Sequence, residues 1–438
     1  MNAVVRPTPL TGEIFAPSSK SEAHRALICA AFAPGATDID CTSTSDDIDA
    51  TVSCLEELGA RIARTERGFR VRPVSGTSAS DNIPAPNRGA TLDCRESGST
   101  LRFMLPVVCA LGCGATMTGQ GRLSQRPLSP LYEQLLEHGA SLSPQGEFPL
   151  SVGGRLTAGR FLLPGNVSSQ FVTGLLLAAP LLASPLEIVV SEPVESRPYL
   201  DITQQVMKAF GVDVSCSREQ GADGSRALVF DVCASGYRTP GTLAIGGDWS
   251  NAAFWLAAGA IGKRGVAVRG LDVTSAQGDR QILAALSLLG AHVLRSPEGA
   301  AMRPAELHPT TINVSSCPDL VPPLAAVASF TPGTTRITGA SRLRLKESDR
   351  LETVSAAVNA LGGCCVISND DLLITGSQTL AGGVVDAAGD HRIAMMATVM
   401  ATRCTGATTI VGAECVSKSY PNFFKDFSSL GGVVETEA

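Results

Sequence analysis

The apolar residues of the chain follow one pattern six times. Each instance begins with a short polar or charged turn and continues into a run of small apolar residues. The six turns begin at Ser18, Glu96, Asn166, Asp248, Pro318 and Gly389, and their spacing of roughly 70–80 residues is that of a repeated supersecondary unit. Helices that are apolar nearly all round belong in a protein interior, with a polar cap at the start. The pattern therefore predicts six buried helices.

A second type of helix alternates with the buried ones. Its apolar residues recur at helical spacing, and a glycine, the usual C-terminal stop signal, follows the last of them. These amphipathic helices are predicted over 46–59, 130–139, 199–211, 279–290, 347–362 and 421–431. Short β-rich runs lie between the helices, for example at 186–190, 266–268 and 334–338. The repeating unit is thus strand, buried helix, strand and glycine-stopped helix.

Six units divide naturally into two similar α/β domains of three units each. We place the crossing near residue 240, which gives an N-terminal domain of residues 15–240 and a second domain of residues 1–14 plus 241–438. Residues 4–14 resemble a strand, which we expect to pair with the second half of the chain. If the buried helices point their N-termini toward an interdomain cleft, six positive dipole ends converge there and favour a substrate with several negative charges.

The segment from 342 to 350 packs six charged side chains into nine residues of a mostly apolar chain. Apolar residues at helical spacing follow it, so Lys346 to Arg350 are expected at or just before a helix N-terminus. Two strong bases beside a carboxylate in that position can bind an anion and move a proton at one place. The alternative is a charged turn that is merely solvated.

Composition excludes several classes of function. A formal net charge of −6 argues against general nucleic-acid binding, and an aromatic content of 5% leaves no platform for stacked bases. The 13 cysteines are scattered without a CxxC pair, which favours buried free thiols in a reducing cytosol over disulfides or a zinc site. No apolar run reaches membrane-spanning length and no signal peptide is recognisable, so we expect a soluble cytoplasmic protein.

Seven short motifs lie in order along the chain, at 17–25, 96–102, 125–127, 168–170, 196–199, 346–350 and 390–392. They resemble motifs of the 5-enolpyruvylshikimate-3-phosphate synthase family, among them its PGSKS…NR and GNAGTxxR segments. One such motif is weak evidence, but seven in order are specific. The chain departs from the family pattern at Ser18, His24 and Arg197, and Arg342 stands where many members have asparagine.

The resemblance implies a fold and a reaction. The fold is α/β, with two similar domains that each contain three βαβαββ units around buried parallel helices, the inside-out α/β barrel of enolpyruvyl transferases. The reaction transfers the enolpyruvyl group of phosphoenolpyruvate to the 5-hydroxyl of shikimate 3-phosphate and releases phosphate, in aromatic amino-acid biosynthesis. The family uses no metal or organic cofactor and is the target of glyphosate, which competes with phosphoenolpyruvate. We expect a monomer whose partners are these two small molecules, with no nucleic acid and no membrane.

The resemblance also assigns roles to residues. Asp319 is the candidate base for the acceptor hydroxyl, Glu347 the proton carrier at C3, Lys20 its acid partner, and Lys346 a contact to both substrates. Shikimate 3-phosphate would be bound on the N-terminal side by Ser21, Arg25, Ser168, Ser169, Gln170 and Arg197, with Tyr199 beneath its ring and Asp319 and Lys346 opposite. Phosphoenolpyruvate would be bound by Lys20, Gly98, Arg102, Arg126, Gln170, Arg350, Arg392 and Lys418. His391 is expected to be a structural neighbour of Arg392.

Two alternatives stay open at this point. The related UDP-N-acetylglucosamine enolpyruvyl transferase shares the sixfold repeat, but it would be expected to show Lys-Asn at the position of Lys20 and Ser21 and a loop cysteine before Arg126. A non-catalytic protein that closes on a phosphorylated ligand would need the cations but neither Asp319 nor Glu347, because binding requires no acid or base.

Overall fold

The computed structural model describes residues 1–74 and 86–437, which form two compact units. The N-terminal unit is Lys20–Ile245, and the C-terminal unit combines Met1–Ser19 with Gly246–Ala438. Both crossings between the units lie a few residues later than the sequence predicts. The reason is strand pairing, since Thr242–Ala244 pairs with Thr37–Asp40 of the N-terminal unit and Gly12–Phe15 pairs with Val266–Arg269 of the C-terminal unit.

Twelve α-helices occur in the described ranges, and they alternate between the two predicted types. The buried type comprises α1 (Lys20–Phe32), α3 (Gly98–Leu111), α5 (Ser169–Ala178), α7 (Trp249–Ile261), α9 (Val321–Ala328) and α11 (His391–Ala401). The amphipathic type comprises α2 (Asp46–Glu57), α4 (Leu131–Glu137), α6 (Arg197–Ala209), α8 (Ile282–Leu288), α10 (Arg350–Ala360) and α12 (Phe423–Ser429). Both predicted sets of helices are confirmed.

The stop signal of the amphipathic helices has a conformational cause. Just after each of them the chain turns through a glycine with positive φ, at Gly59, Gly139, Gly211, Gly290, Gly362 and Gly431. Only glycine adopts this left-handed conformation without a steric penalty from a Cβ atom. These glycines turn the chain into the next strand.

Within the described residues the strands form three four-stranded sheets in each unit. In the N-terminal unit the strands are β3 (Thr37–Asp40), β4 (Arg61–Thr65), β5 (Gly68–Arg72), β6 (Ala90–Asp93), β7 (Ala115–Thr118), β8 (Ala140–Leu142), β9 (Leu150–Gly154), β10 (Arg160–Pro164), β11 (Leu186–Ser191), β12 (Val214–Gln220), β13 (Arg226–Val232) and β14 (Thr242–Ala244). In the C-terminal unit they are β1 (Asn2–Arg6), β2 (Gly12–Phe15), β15 (Val266–Arg269), β16 (His292–Ser296), β17 (Gly299–Arg303), β18 (Thr311–Asn313), β19 (Gly333–Thr338), β20 (Cys364–Ser368), β21 (Asp371–Gly376), β22 (Gly383–Asp386), β23 (Thr408–Val411) and β24 (Val433–Glu437).

All six sheets share one topology. Each contains one parallel pair followed by two antiparallel pairs, as in the order β6-β7-β9-β8. Two sheets take their first strand from a distant part of the chain, β14 beside β3 and β2 beside β15. A third sheet takes β1 between β23 and β24. The single strand predicted over 4–14 is therefore wrong in detail, because the structure has two strands there in two different sheets.

The buried helices form the core of each unit. In the C-terminal unit α7, α9 and α11 pack on one another, and every residue of α9 is buried. In the N-terminal unit α3 and α1 pack on α5, so the N-terminal residues of these helices are held by a rigid interior. No helix in the described ranges has both the length and the apolar character needed to span a bilayer. All 13 cysteines are free thiols, but Cys216, Cys233 and Cys364 are exposed, contrary to the expectation of burial.

Candidate active site

The N-terminal ends of α3 and α5 bring two of the predicted residues, Arg102 and Gln170, together. Arg102 donates from Nη1 to Oε1 of Gln170 at 2.9 Å, and Gln170 donates from Nε2 to Oγ of Ser99 at 3.0 Å. Gly174, one helical turn beyond Gln170, allows this contact because a Cβ atom there would collide with the carbonyl of Arg102. The side chain of Arg102 is buried, and its Nη2 also donates to the carbonyl of Pro127 at 3.0 Å. The arginine is thereby fixed in one orientation.

Arg126 lies over the first residue of α3. An ideal Cβ placed on Gly98 would lie 2.5 Å from Nη1 of Arg126, so the guanidinium rests against bare backbone. The glycine of this motif therefore makes room for a cation beside a helix N-terminus, where the backbone dipole also favours anions. Two of the predicted phosphoenolpyruvate residues are in this way adjacent.

Lys20 begins α1 and forms an ion pair with Asp47 in the first turn of α2, with Nζ 2.6 Å from Oδ2. Both side chains are mostly buried. The sequence interpretation missed Asp47, although the acidic start of α2, with Asp46, Asp47 and Asp49, was a visible signal. A carboxylate at this distance holds the ammonium group in place through a charge-assisted hydrogen bond.

The predicted shikimate 3-phosphate residues are divided between the interior and the rim of the N-terminal unit. Arg25 is buried and donates to Oγ1 of Thr203 at 2.8 Å and to the carbonyl of Tyr199 at 3.2 Å, and burial lowers its pKa to about 10. Ser168 caps α5 by accepting a hydrogen bond from the backbone of Gln170, and Ser169 follows it. Arg197 is half exposed at the start of α6, 3.8 Å from Asp201.

The backbone carbonyls of Tyr199 and Ser21 both accept hydrogen bonds from Arg25. The carbonyl of Ser21 accepts from Nη1 of Arg25 at 2.5 Å, and the carbonyl of Tyr199 accepts from Nη2. Tyr199 is half-buried rather than part of the core. Arg25 therefore joins α1 to the start of α6 and sets the positions of both residues.

A chain of hydroxyl groups runs behind these side chains. His24 shares a hydrogen bond of 2.7 Å with Oγ1 of Thr51, which shares another of 2.7 Å with Oγ1 of Thr100. Thr100 donates to Oγ of Ser97, the residue that caps α3. His24 is buried, and burial together with Lys20 and Arg25 holds its pKa well below the ordinary value. The imidazole is therefore neutral and ties α1 through α2 to the start of α3.

The low pKa of His24 predicts a pH dependence of stability. The unfolded chain takes up a proton near pH 6.5, whereas the folded chain resists it, so folding loses up to about 1.4 kcal/mol per pH unit as the pH falls below that value. In His24→Asn this decrease in the free energy of unfolding should be absent. Above about pH 6.5 the free energies of unfolding of the two proteins should differ by a constant amount. Urea unfolding between about pH 5 and pH 8 measures it, with His308→Asn, at an exposed position, as the control. A parallel decline in wild type and His24→Asn would contradict the prediction.

In the C-terminal unit three cationic side chains surround one carboxylate. Asp319 Oδ1 lies 3.1 Å from Nζ of Lys346 and 2.8 Å from Nη1 of Arg350, and its Oδ2 lies 3.3 Å from Nη2 of Arg392. Burial alone would raise the pKa of the Asp319 carboxyl, but Arg392, Lys346 and Arg350 hold it well below its ordinary value. The carboxylate is therefore ionised at neutral pH, and it does not serve as the cap of α9.

Glu347 and Asp390 complete the surroundings of Arg350. The guanidinium donates to Glu347 through Nη2 at 2.5 Å and to Asp390 through Nε at 2.8 Å and Nη2 at 3.2 Å. Burial alone would lower the pKa of Arg350, but Asp390, Glu347 and Asp319 raise it above its ordinary value. Arg350 is only 1% exposed, so in this state it serves three carboxylates inside the protein.

Asp390 also attaches the charged segment to α11. It caps that helix by accepting from the backbone of Arg392 at 3.0 Å and accepts a hydrogen bond from Oγ of Ser348 at 3.0 Å. Asp349 caps α10 and pairs with Arg344 at 3.0 Å, so it does not orient Lys346 or Arg350. The prediction of a helix N-terminus in this segment is confirmed, since α10 begins at Arg350.

The remaining predicted residues lie close to this cluster. Lys418 donates from Nζ to the carbonyl of Gly389 at 2.7 Å, directly before the α11 cap. His391 is buried beside Arg392 in the first turn of α11. Arg342 lies in the short helical turn Ser341–Leu345 before Lys346. Within residues 1–74 and 86–437, no group of three or more His, Cys, Asp or Glu side chains is arranged to hold a metal ion.

The sixfold repeat of buried helices and four-stranded sheets, with cations at or near the starts of α1, α3 and α11, is the architecture expected of an enolpyruvyl transferase. Its fold matches a solved EPSP synthase from Acinetobacter baumannii with a TM-score of 0.78 and 24% identity, over 99% of this chain and 100% of that one. A family model for EPSP synthase (3-phosphoshikimate 1-carboxyvinyltransferase) matches residues 4–427.

Curated relatives of bacterial origin agree with the family model. The chain is 41% identical over 432 residues to the 3-phosphoshikimate 1-carboxyvinyltransferase of Clostridium kluyveri, which covers 98% of this chain and 97% of the relative. The enzyme of the same name from Clostridium acetobutylicum is 38% identical over 441 residues, with 99% and 98% covered. The chain belongs to the EPSP synthase family, and the resemblance and fold class predicted from the sequence are confirmed.

Proposed function

We propose that the chain transfers the enolpyruvyl group of phosphoenolpyruvate to the 5-hydroxyl of shikimate 3-phosphate and releases phosphate. The oxygen of the hydroxyl attacks C2 of phosphoenolpyruvate and loses its proton while C3 gains one, which gives a tetrahedral intermediate. Loss of phosphate from C2 and of a proton from C3 then restores the double bond. This sequence needs a base at the hydroxyl, a proton carrier at C3 and cations for the phosphates and carboxylates.

The observation that carries the proposal is the carboxylate of Asp319 among three cations. It is ionised, since Arg392, Lys346 and Arg350 keep its pKa well below the ordinary value. A phosphoenolpyruvate anion that engages those cations would weaken their hold on Asp319 and raise its proton affinity. Asp319 would then become a stronger base when the second substrate is in place.

The proton exchange at C3 is assigned to Glu347 with Lys20 as its acid partner, and Lys346 is the contact to both substrates beside them. Glu347 lies one residue from Lys346 and keeps 21% of its side chain exposed, so it can reach a reacting atom. Burial lowers the pKa of Lys346, although Asp319 opposes the effect, which brings this ammonium nearer to the range of a useful acid. Lys20 is held by Asp47 and would protonate C3 together with Glu347.

The proposed binding residues use both units. Arg102, Arg126, Gly98, Gln170 and Lys20 in the N-terminal unit, and Arg350, Arg392 and Lys418 in the C-terminal unit, would bind phosphoenolpyruvate. Ser21, Arg25, Ser168, Ser169, Gln170 and Arg197 would bind shikimate 3-phosphate, with Asp319 and Lys346 at its reacting hydroxyl. Arginine suits these roles because its planar fork pairs with two oxygens of a carboxylate or phosphate.

Arg350 needs a rearrangement to act as a clamp. Its Nη2 atom, which donates to Glu347, is the group that could turn to a substrate carboxylate while Nε stays on Asp390. Such an exchange would release Glu347 at the moment when phosphoenolpyruvate binds. Binding and activation of the proton carrier would then be linked.

The experiment that tests the proposal is phosphate release from phosphoenolpyruvate in the presence of shikimate 3-phosphate. UDP-N-acetylglucosamine replaces shikimate 3-phosphate in a parallel reaction. We expect phosphate release in the reaction that contains shikimate 3-phosphate and none in the reaction that contains the UDP-sugar. Turnover with the UDP-sugar would favour the related transferase, and tight binding of both substrates without phosphate release would favour a binding protein.

Gly98→Ala is expected to weaken phosphoenolpyruvate binding selectively. The new methyl group must displace the guanidinium of Arg126, which an ideal Cβ approaches to 2.5 Å. Partial loss of one charge-assisted contact should raise KM for phosphoenolpyruvate about tenfold and leave KM for shikimate 3-phosphate within about twofold. Steady-state kinetics measure both constants. Gly153→Ala is the matched control, because a Cβ there meets only ordinary contacts at 3.8 Å and beyond, and equal changes in both KM values would contradict the prediction.

A further inference from the structure

A second buried carboxylate lies behind the Asp319 cluster. Asp279 sits in the short helical turn Gly278–Gln281 before α8 and is only 4% exposed. Its Oδ2 atom accepts a hydrogen bond from Oγ of Ser250, in the first turn of α7. Neither residue belongs to the motifs that carry the family resemblance.

Ser250 connects this carboxylate to Arg392. Nη2 of Arg392 donates to Oγ of Ser250 at 3.1 Å and also lies 3.3 Å from Oδ2 of Asp319. A guanidinium can only donate and an ionised carboxylate can only accept, so the single hydroxyl proton of Ser250 must point to Asp279. A lone pair of the hydroxyl oxygen then faces Arg392. Asp279 thus sets the direction of donation in both hydrogen bonds, from Arg392 to Ser250 and from Ser250 to Asp279.

Burial of the Asp279 carboxylate destabilises the folded protein, so stability does not explain why a carboxylate occupies this position. Burial, followed by the nearby charge of Asp319, raises the pKa of the Asp279 carboxyl to about 6, while Arg392 and Ser250 oppose the rise. The carboxyl of Asp248 adds a further unfavourable charge. An uncharged side chain would avoid both the desolvation and the repulsion. The carboxylate is better explained by what it does to Ser250 and Arg392.

We propose that Asp279 is a positioning residue for the family's reaction, which acts through the hydroxyl of Ser250 to hold the guanidinium of Arg392 in the orientation that receives phosphoenolpyruvate. This inference rests on the clamp role proposed for Arg392. Asp279 does not touch the substrate. Its effect is to keep Nη2 of Arg392 between Ser250 and Asp319, so that the remaining donors stay directed at the anion site.

The experiment compares Asp279→Ala, Ser250→Ala, the double variant and Arg392→Lys in the full chain, because alanine at position 279, unlike asparagine, cannot accept the hydroxyl proton of Ser250. Loss of one charge-assisted hydrogen bond to the guanidinium should raise KM for phosphoenolpyruvate about tenfold in each single variant, with KM for shikimate 3-phosphate within about twofold. The double variant should be no worse than either single one, because both break the same chain. Ser250→Thr, which keeps the hydroxyl, should restore most of the binding. Asp272→Ala, at an exposed carboxylate in the preceding loop, is the control.

Several results would overturn the proposal. An unchanged KM for phosphoenolpyruvate in Ser250→Ala would do so even if Asp279→Ala failed to fold. Effects that multiply in the double variant would show that the two residues act independently, and an equal rise in both KM values would indicate a general structural role. An unchanged KM in Arg392→Lys, with normal turnover, would remove the clamp role of Arg392 and the inference with it, while the family's reaction itself would stand.

Discussion

Glu347→Gln is expected to bind both substrates and to lose turnover by about two to four orders of magnitude. The amide has nearly the shape of the carboxylate and can still accept the hydrogen bond from Nη2 of Arg350, so the surrounding structure should change little. It cannot exchange a proton with C3 of phosphoenolpyruvate. Phosphate release measures turnover, and titration calorimetry measures binding of each substrate.

Exchange of solvent deuterium into C3 of phosphoenolpyruvate gives a sharper measurement of the same variant. Exchange should slow in proportion to turnover if Glu347 carries the proton. Glu352→Gln is the matched control, since this glutamate lies on the exposed face of α10 with 62% of its side chain accessible. Near-normal turnover or unchanged exchange in Glu347→Gln would remove the residue from the mechanism.

Asp319→Asn is expected to lose turnover, to be less stable than the wild type when free, and to bind phosphoenolpyruvate at least as tightly. Turnover should fall by about 10²–10⁴-fold, because the base at the acceptor hydroxyl is lost. Lys346, Arg350 and Arg392 lose their common counter-charge, which should destabilise the free protein by about 3–5 kcal/mol. A bound phosphoenolpyruvate anion would relieve that repulsion, so its affinity should be equal to the wild type or higher.

Thermal unfolding with and without phosphoenolpyruvate tests this prediction, because the ligand should stabilise Asp319→Asn more than it stabilises the wild type. Asp371→Asn is the control, since Asp371 forms a more exposed ion pair with Arg336 in the same unit. Turnover within tenfold of the wild type would exclude Asp319 as the base. Weaker binding of phosphoenolpyruvate would mean that the three cations do not serve that substrate.

Local pattern was sufficient to predict the helices of the fold. The small apolar runs and the stop glycines are features of consecutive residues, so periodicity and turn chemistry were enough to predict all twelve described helices. The N-terminal strands were harder, because residues 2–6 and 12–15 pair with partners hundreds of residues away. No local signal indicates that a short apolar segment divides into strands of two different sheets.

The candidate site shows the same limit at the level of single residues. The family resemblance pointed to Asp319, Lys346 and Arg350, and the structure places the last two side chains in direct contact with Asp319. Asp47 and Asp279 were missed because each contacts its partner across about 27 to 29 positions of sequence and lies outside every motif.

Buried ion pairs were also beyond the reach of sequence reasoning. Arg350 was predicted only as a ligand for substrate, whereas in the folded chain it neutralises three carboxylates. Whether an arginine points to solvent or to the interior depends on the packing of α10 against α9 and α11, which no single segment encodes.

The scattered strands of the C-terminal unit determine the order in which the protein can be assembled during its synthesis. β1 is synthesised before the whole N-terminal unit, whereas its neighbours β23 and β24 are synthesised after it. The continuous Lys20–Ile245 unit can complete its own sheets while the remainder is still being translated. β1 must therefore stay unpaired while the N-terminal unit and most of the C-terminal unit are translated, and deletion of β24 would leave one edge of β1 without a partner.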